Sequence, residues 1–109
     1  MTLFRSEKNT NWEGAYGVPA VVKWPGRIRP GSVANGIVSY LDWMPTLLAA
    51  ADVPEVKEKT TYGLYGGELD LKVHLDGYNM LSYFTGQTSK NPRDAFFYFS
   101  DDAGRAALR

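Results

Sequence analysis

Residues 18–24, Val-Pro-Ala-Val-Val-Lys-Trp, leave a polar loop and stop at a Pro25-Gly26 turn. Ala20, Val21 and Val22 form a continuous apolar run. That run is the pattern of a strand buried on both faces, which needs cover above and below. Pro19 falls at the strand entry, where a missing N–H is tolerated. The loop ahead of it, residues 8–17, carries one lysine and one glutamate, Lys8 and Glu13. Functional side chains often sit on such a loop, held by the strand that follows.

The bulk numbers narrow the function classes. The 109 residues suit one modest domain, and 44% apolar content is not a disordered composition. Twelve basic and twelve acidic residues cancel, which removes the electrostatic case for nucleic acid or an anionic membrane as partner. No apolar run approaches the roughly 18–20 residues that span a bilayer. The first seven residues have no apolar stretch of the signal-peptide kind. With no cysteine, the chain makes no disulfide, thiolate zinc site or cysteine nucleophile. A single histidine, His74, removes any multi-histidine metal site.

Along the chain, Pro30-Gly31 is a second turn signal and residues 37–40 read as extended. The clearest helix spans 42–52. Asp42 serves as its N-cap, and Pro45 falls in the first turn, where a missing N–H costs little. Trp43, Leu47 and Ala50 are expected to share one face of it at i, i+4, i+7 spacing. Pro54 ends it. Residues 56–61 are strongly charged, and residues 63–67 read as a turn-rich hinge. Residues 69–75 alternate apolar and polar with period two, as in a half-buried strand. Asp76-Gly77 is a turn, and residues 80–84 form a short helical turn closed by Gly86. Residues 95–100 are an aromatic strand, Asp101-Asp102 lie in a hairpin turn, and 106–109 begin the return strand.

Four blocks, in order, resemble the C-terminal part of a sulfatase in the arylsulfatase-like, formylglycine-dependent family. Lys8-Asn-Thr-Asn-Trp-Glu-Gly, with Val18-Pro and Trp24-Pro-Gly, is similar to the family's lysine loop and following strand. Asp42-Trp-Met-Pro-Thr-Leu-Leu is similar to its Asp-x-x-Pro-Thr helix start. Asp76-Gly77 with Leu81 and Thr85-Gly86 is similar to its Asp-Gly docking segment. Arg93-Asp-Ala-Phe-Phe-Tyr with Ala107-Leu-Arg is similar to the first hairpin of its small C-terminal sheet. The resemblance implies an α/β chain (α+β when isolated) from the alkaline-phosphatase-like fold. It would hold one sheet strand, one clear helix and that hairpin. Residues 1–86 would end the catalytic domain and residues 87–109 would begin the small sheet.

The resemblance also implies a chemistry, sulfate-ester hydrolysis. Lys8 falls where the family has a lysine that contacts the sulfate group. His74 lies in a Lys-x-His-x-Asp-Gly segment similar to one in close relatives, which makes it a candidate substrate-binding residue. The family uses calcium and a formylglycine made in a Cys/Ser-x-Pro-x-Arg motif, both upstream of the lysine loop. Neither cofactor is expected from this chain: the resemblance places the calcium carboxylates upstream, and for formylglycine the chain has no cysteine while Ser89-Lys-Asn-Pro-Arg places proline one residue late. The family pattern Glu-Gly-Gly-x-Arg-x-Pro reads Glu13-Gly14-Ala15-Tyr16-Gly17-Val18-Pro19, so Gly17 removes a cation. The expectation is a segment that contributes a lysine to a sulfate-ester site and is inactive alone. The alternative is a non-catalytic, self-associating structural or carbohydrate-contacting module. Open strand edges predict a homo-oligomer for the isolated chain.

The residues also have plainer readings. A loop lysine such as Lys8 mostly solvates a surface. Glu13 pairs with a loop N–H or a nearby cation, since one carboxylate without a partner is weak evidence for a base. Asp101 and Asp102 bond the local backbone rather than a metal. The run from Phe96 to Phe99 packs rather than stacking bases.

Overall fold

Ser39 opens the longest ordered stretch. Its backbone is extended (φ −104°, ψ 157°), and its hydroxyl accepts the Leu41 N–H at 3.2 Å. Asp42 reaches back to accept the Ser39 N–H at 2.8 Å, which closes a capping box. A 3₁₀ turn, Tyr40–Asp42, then runs directly into the helix Trp43–Ala50. The cap is therefore Ser39 and not Asp42, whose side chain makes no capping bond to the helix it precedes. The extra 3₁₀ turn moves the first free N–H groups three residues upstream and points Asp42 inward.

The computed structural model describes residues 12–62, 64–66, 69–99 and 105–108. They fall into two compact units, Pro25–Asp94 and a second built from residues 12–24, 95–99 and 105–108. In chain order the helices are α1 (Glu13–Tyr16), α2 (Trp43–Ala50), α3 (Val56–Tyr62) and α4 (Leu81–Phe84). The strands are β1 (Leu64–Gly66), β2 (Leu69–Leu71), β3 (Phe97–Phe99) and β4 (Arg105–Leu108).

In the first unit α2 ends as a Schellman motif. The Asp52 N–H donates to Ala49 O at 3.1 Å and the Val53 N–H to Leu48 O at 2.8 Å. Asp52 takes the left-handed conformation at φ 62°, as the position after a helix end demands. The expected stop before Pro54 holds. The face turned inward is that of Pro45, Thr46 and Ala49, which are buried, while Leu47 is 62% exposed. A polar residue wins the interior because its bonds are satisfied there. The Thr46 hydroxyl donates to Asp42 O at 2.6 Å and accepts the Met80 N–H at 2.9 Å. Trp43 is half-buried, its ring 5.7 Å from that of Phe84.

The charged stretch after Pro54 is helical, as α3, with Val56 its buried anchor. The expected hinge at 63–67 contributes β1, which pairs antiparallel with β2 through Leu64↔Leu71, Tyr65↔Asp70 and Gly66↔Leu69. The strand expected over 69–75 stops at Leu71, where that pairing ends. Beyond it the Val73 N–H turns to Thr60 O on α3 at 2.9 Å. The helical turn α4 matches expectation, and Gly86 follows it at φ 74°. Pro30-Gly31 forms a turn closed by Ser32 N–H to Arg29 O at 3.3 Å, with Gly31 at φ 72°. The buried set is small and mixed, with Met80, Ala49 and Val56 beside Ser39, Asp42, Thr46 and Arg93.

In the second unit β3 and β4 form the expected hairpin, Phe97↔Leu108, Tyr98↔Ala107 and Phe99↔Arg105, with a register shift between Tyr98 and Phe99. Tyr98 faces inward, stacked on Tyr16 at 3.7 Å between ring centroids and edge-on to Phe96 at 4.9 Å. Burial, and then the neighbouring Tyr16, push the Tyr98 phenol up from its ordinary value. The expected strand over 18–24 is not formed. The segment is irregular and Val21 is 96% exposed. A strand buried on both faces exists only with hydrogen-bonded neighbours, and the described residues pair none with it.

Candidate functional site

Three of the four sequence blocks meet at one carboxylate. Asp42 has no exposed surface and Arg93 is 7% exposed. Arg93 Nε donates to Asp42 Oδ2 at 2.8 Å and Nη2 to Oδ1 at 2.7 Å, a bidentate fork. The Ser39 N–H completes Oδ2 and the Tyr78 N–H completes Oδ1, each at 2.8 Å. Arg93 Nη2 also donates to Asp76 O at 3.2 Å. The segment 76–78 is thus held at the carbonyl of its first residue and the N–H of its last. Between them Gly77 leaves no room for a side chain, since a Cβ there would overlap the Leu41 carbonyl oxygen. The Tyr78 ring lies between two cations, with Arg93 at 4.8 Å and Lys57 at 5.1 Å from its centroid.

The electrostatics follow from this geometry. Burial alone would raise the Asp42 carboxyl. The Arg93 hydrogen bonds, the Tyr78 and Ser39 N–H groups and the guanidinium charge together outweigh it and hold the pKa below its ordinary value. Arg93 is raised, chiefly by its hydrogen bond to Asp42, against the opposing effect of burial. Both oxygens of Asp42 are occupied by donors, so this pair is built to hold segments together rather than to accept a substrate proton.

His74 lies just outside the network, and its Nε2 is 3.2 Å from Asp76 Oδ1 with both side chains exposed. It is therefore presented to solvent beside a carboxylate whose backbone Arg93 holds. Lys8, Asp101 and Asp102 lie outside the described residues. Glu13 sits half-buried in the first turn of α1. Among the described residues no three His, Asp or Glu side chains cluster to hold a metal ion. No helix among them is long and apolar enough to cross a membrane.

The Sulfatase family profile matches residues 2–53, which include Lys8 and the start of α2. Human arylsulfatase A is 35% identical over 97 residues, covering 89% of this chain. The arylsulfatase of Hemicentrotus pulcherrimus is 34% identical over 101 residues, covering 93%. This chain is a sulfatase-like segment. Steryl-sulfatase of Mus musculus is 28% identical over 97 residues, 13% of that protein. The sulfatase-like segment spans 16% of the human relative's length and 15% of the Hemicentrotus pulcherrimus one's. No solved structure matches it.

Arg93 is the residue that block-by-block reading undervalued. It stood only as the first letter of a hairpin block, with no partner. The available signal was complementary chemistry in three consecutive blocks of this sulfatase-like segment: an aspartate at a helix start, an Asp-Gly turn, and an arginine after a proline.

Proposed function

We propose that the chain works as part of a sulfate-ester hydrolase, to which it supplies Lys8 and a rigid support, and that it does not hydrolyse sulfate esters alone. The observation that carries this reading is the Sulfatase match across residues 2–53, because the lysine loop lies inside it. In this reading residues 1–86 close an alkaline-phosphatase-like α/β domain and residues 87–109 begin the small sheet. A sulfate ester gathers negative charge on its oxygens as the S–O bond breaks. A fixed ammonium favours that state more than the ground state, which is the condition for faster chemistry. Lysine acts there as a point charge rather than a planar fork. His74, beside Asp76, is the second substrate-facing group.

The resemblance puts the family's calcium and formylglycine upstream of the lysine loop. There is no cysteine and one histidine, and no ligand cluster among the described residues. This reading places both groups outside these 109 residues and derives no step through them.

Aryl sulfate hydrolysis tests the proposal. The purified chain with calcium is expected to give no turnover. Turnover is expected when the chain is mixed with a human arylsulfatase A polypeptide from which the 97-residue matched stretch is deleted. Turnover by the chain alone, or none from the mixture when the two associate, would contradict it.

A further inference from the structure

Gly36 is fixed by space rather than by backbone conformation. Its φ is not positive, so other residues could take the same backbone. A Cβ at this position would overlap the Asn91 side-chain amide and come to 2.8 Å from the Tyr83 hydroxyl oxygen. These two groups crowd the segment because they hold it. The Gly36 N–H donates to the Tyr83 hydroxyl at 2.9 Å, and the Asn91 amide donates to Ile37 O at 3.0 Å. Tyr83 belongs to α4, 47 residues further along, so residues 36 and 37 are clasped from a distant part of the same unit. The residue before the clasp is Asn35, which is exposed. Packing therefore keeps an Asn-Gly pair at the surface of the Pro25–Asp94 unit.

We infer that Asn35 is a deamidation site whose rate is controlled by the Tyr83 hydroxyl. The inference concerns covalent stability and stands apart from the sulfatase reading. The Gly36 backbone nitrogen loses its proton to solvent base and attacks Asn35 Cγ. A new C–N bond closes a succinimide ring, and the side-chain amide leaves as ammonia. Water then opens the ring at either carbonyl, which gives aspartate or isoaspartate with no change of oxidation state. The folded chain meets two of the three requirements. Glycine presents no side chain to hinder the attack, and the Asn35 amide stands in water. The third requirement is a backbone nitrogen free to give up its proton, and Gly36 N–H is committed to Tyr83 in a partly buried bond. That bond must break first. The rate is then the open fraction of the clasp multiplied by the rate of the unfolded segment. The other described asparagines, Asn79 and Asn91, precede Met80 and Pro92. The Met80 N–H is held by Thr46, and proline has no N–H to lose. Reaction at Asn35 adds a negative charge to a chain whose formal net charge is zero. The isoaspartate product also inserts a methylene into the backbone immediately before the clasp.

The test is incubation of the 109-residue chain in mildly alkaline buffer, read by peptide mapping with mass spectrometry and by ion exchange for the more acidic product. Wild type is expected to deamidate at Asn35, at least about tenfold more slowly when folded than in urea. Tyr83→Phe keeps the ring and removes the hydroxyl. It is expected to deamidate about fivefold faster than wild type while circular dichroism shows it folded, the change in opening equilibrium that one net hydrogen bond represents. Val56→Ala weakens the same unit at α3, away from the clasp, and is expected to react at the wild-type rate while folded. Asn35→Gln is expected to abolish the acidic product. Equal rates folded and in urea, or a Tyr83→Phe rate equal to wild type, would overturn the inference. So would acceleration by Val56→Ala as large as by Tyr83→Phe, or an acidic product that arises first at another asparagine.

Discussion

Asp42 accepts from four donors with no surface in water, and Arg93 supplies two of them. Removing one member of such a pair strands the other charge in the interior, at a cost of about 3–5 kcal/mol. Arg93→Met is therefore expected to lower the urea midpoint sharply or to leave the Pro25–Asp94 unit unfolded. A midpoint within experimental error of wild type would mean the fork is not holding the unit together. Acid acts on the same bond with a definite sign. The Asp42 pKa is depressed on folding from its ordinary 3.8, so its contribution is complete above that value. It is lost as pH falls through the lower folded value, and equilibrium unfolding between neutral pH and pH 2 should show stability declining below about pH 4. Gly77 tests the fit of the segment. Gly77→Ala forces a methyl group onto the Leu41 carbonyl and should cost about 1–3 kcal/mol by thermal or urea denaturation.

Helix α2 and the β3–β4 hairpin could be read in the sequence because their determinants are local. A proline in the first turn, a run of helix formers and a helix-ending proline set α2, and an aromatic run sets β3. What could not be read was decided by partners distant in sequence. Residues 18–24 have the composition of a buried strand, but a strand is a pairing, and no pairing forms within the described residues. The inward turn of Thr46 depends on a backbone N–H 34 residues away. The charged stretch after Pro54 is helical because Val56 anchors it in the interior, which charge counting does not reveal. The end of α2 offers an element-scale test. Asp52 holds a left-handed backbone that costs a side chain about 1 kcal/mol relative to glycine. Asp52→Gly is expected to raise the melting temperature by a few degrees, and a lower one would mean that the Asp52 side chain contributes more than its backbone strain removes.

At the scale of the whole molecule, order among blocks carried more than any single motif. Lysine loop, helix start, Asp-Gly turn and Pro-Arg each recur widely, yet three of the four converge on Asp42. In the proposed reading the lysine loop serves chemistry rather than packing, through Lys8. The deciding measurement is kcat for aryl sulfate hydrolysis in the complemented enzyme, comparing the wild-type chain with Lys8→Met. A loss on the order of 10²–10³ in kcat is predicted, the usual effect of removing one group that stabilises developing negative charge. An unchanged kcat with the variant stably bound would contradict the assignment of Lys8 to the sulfate site.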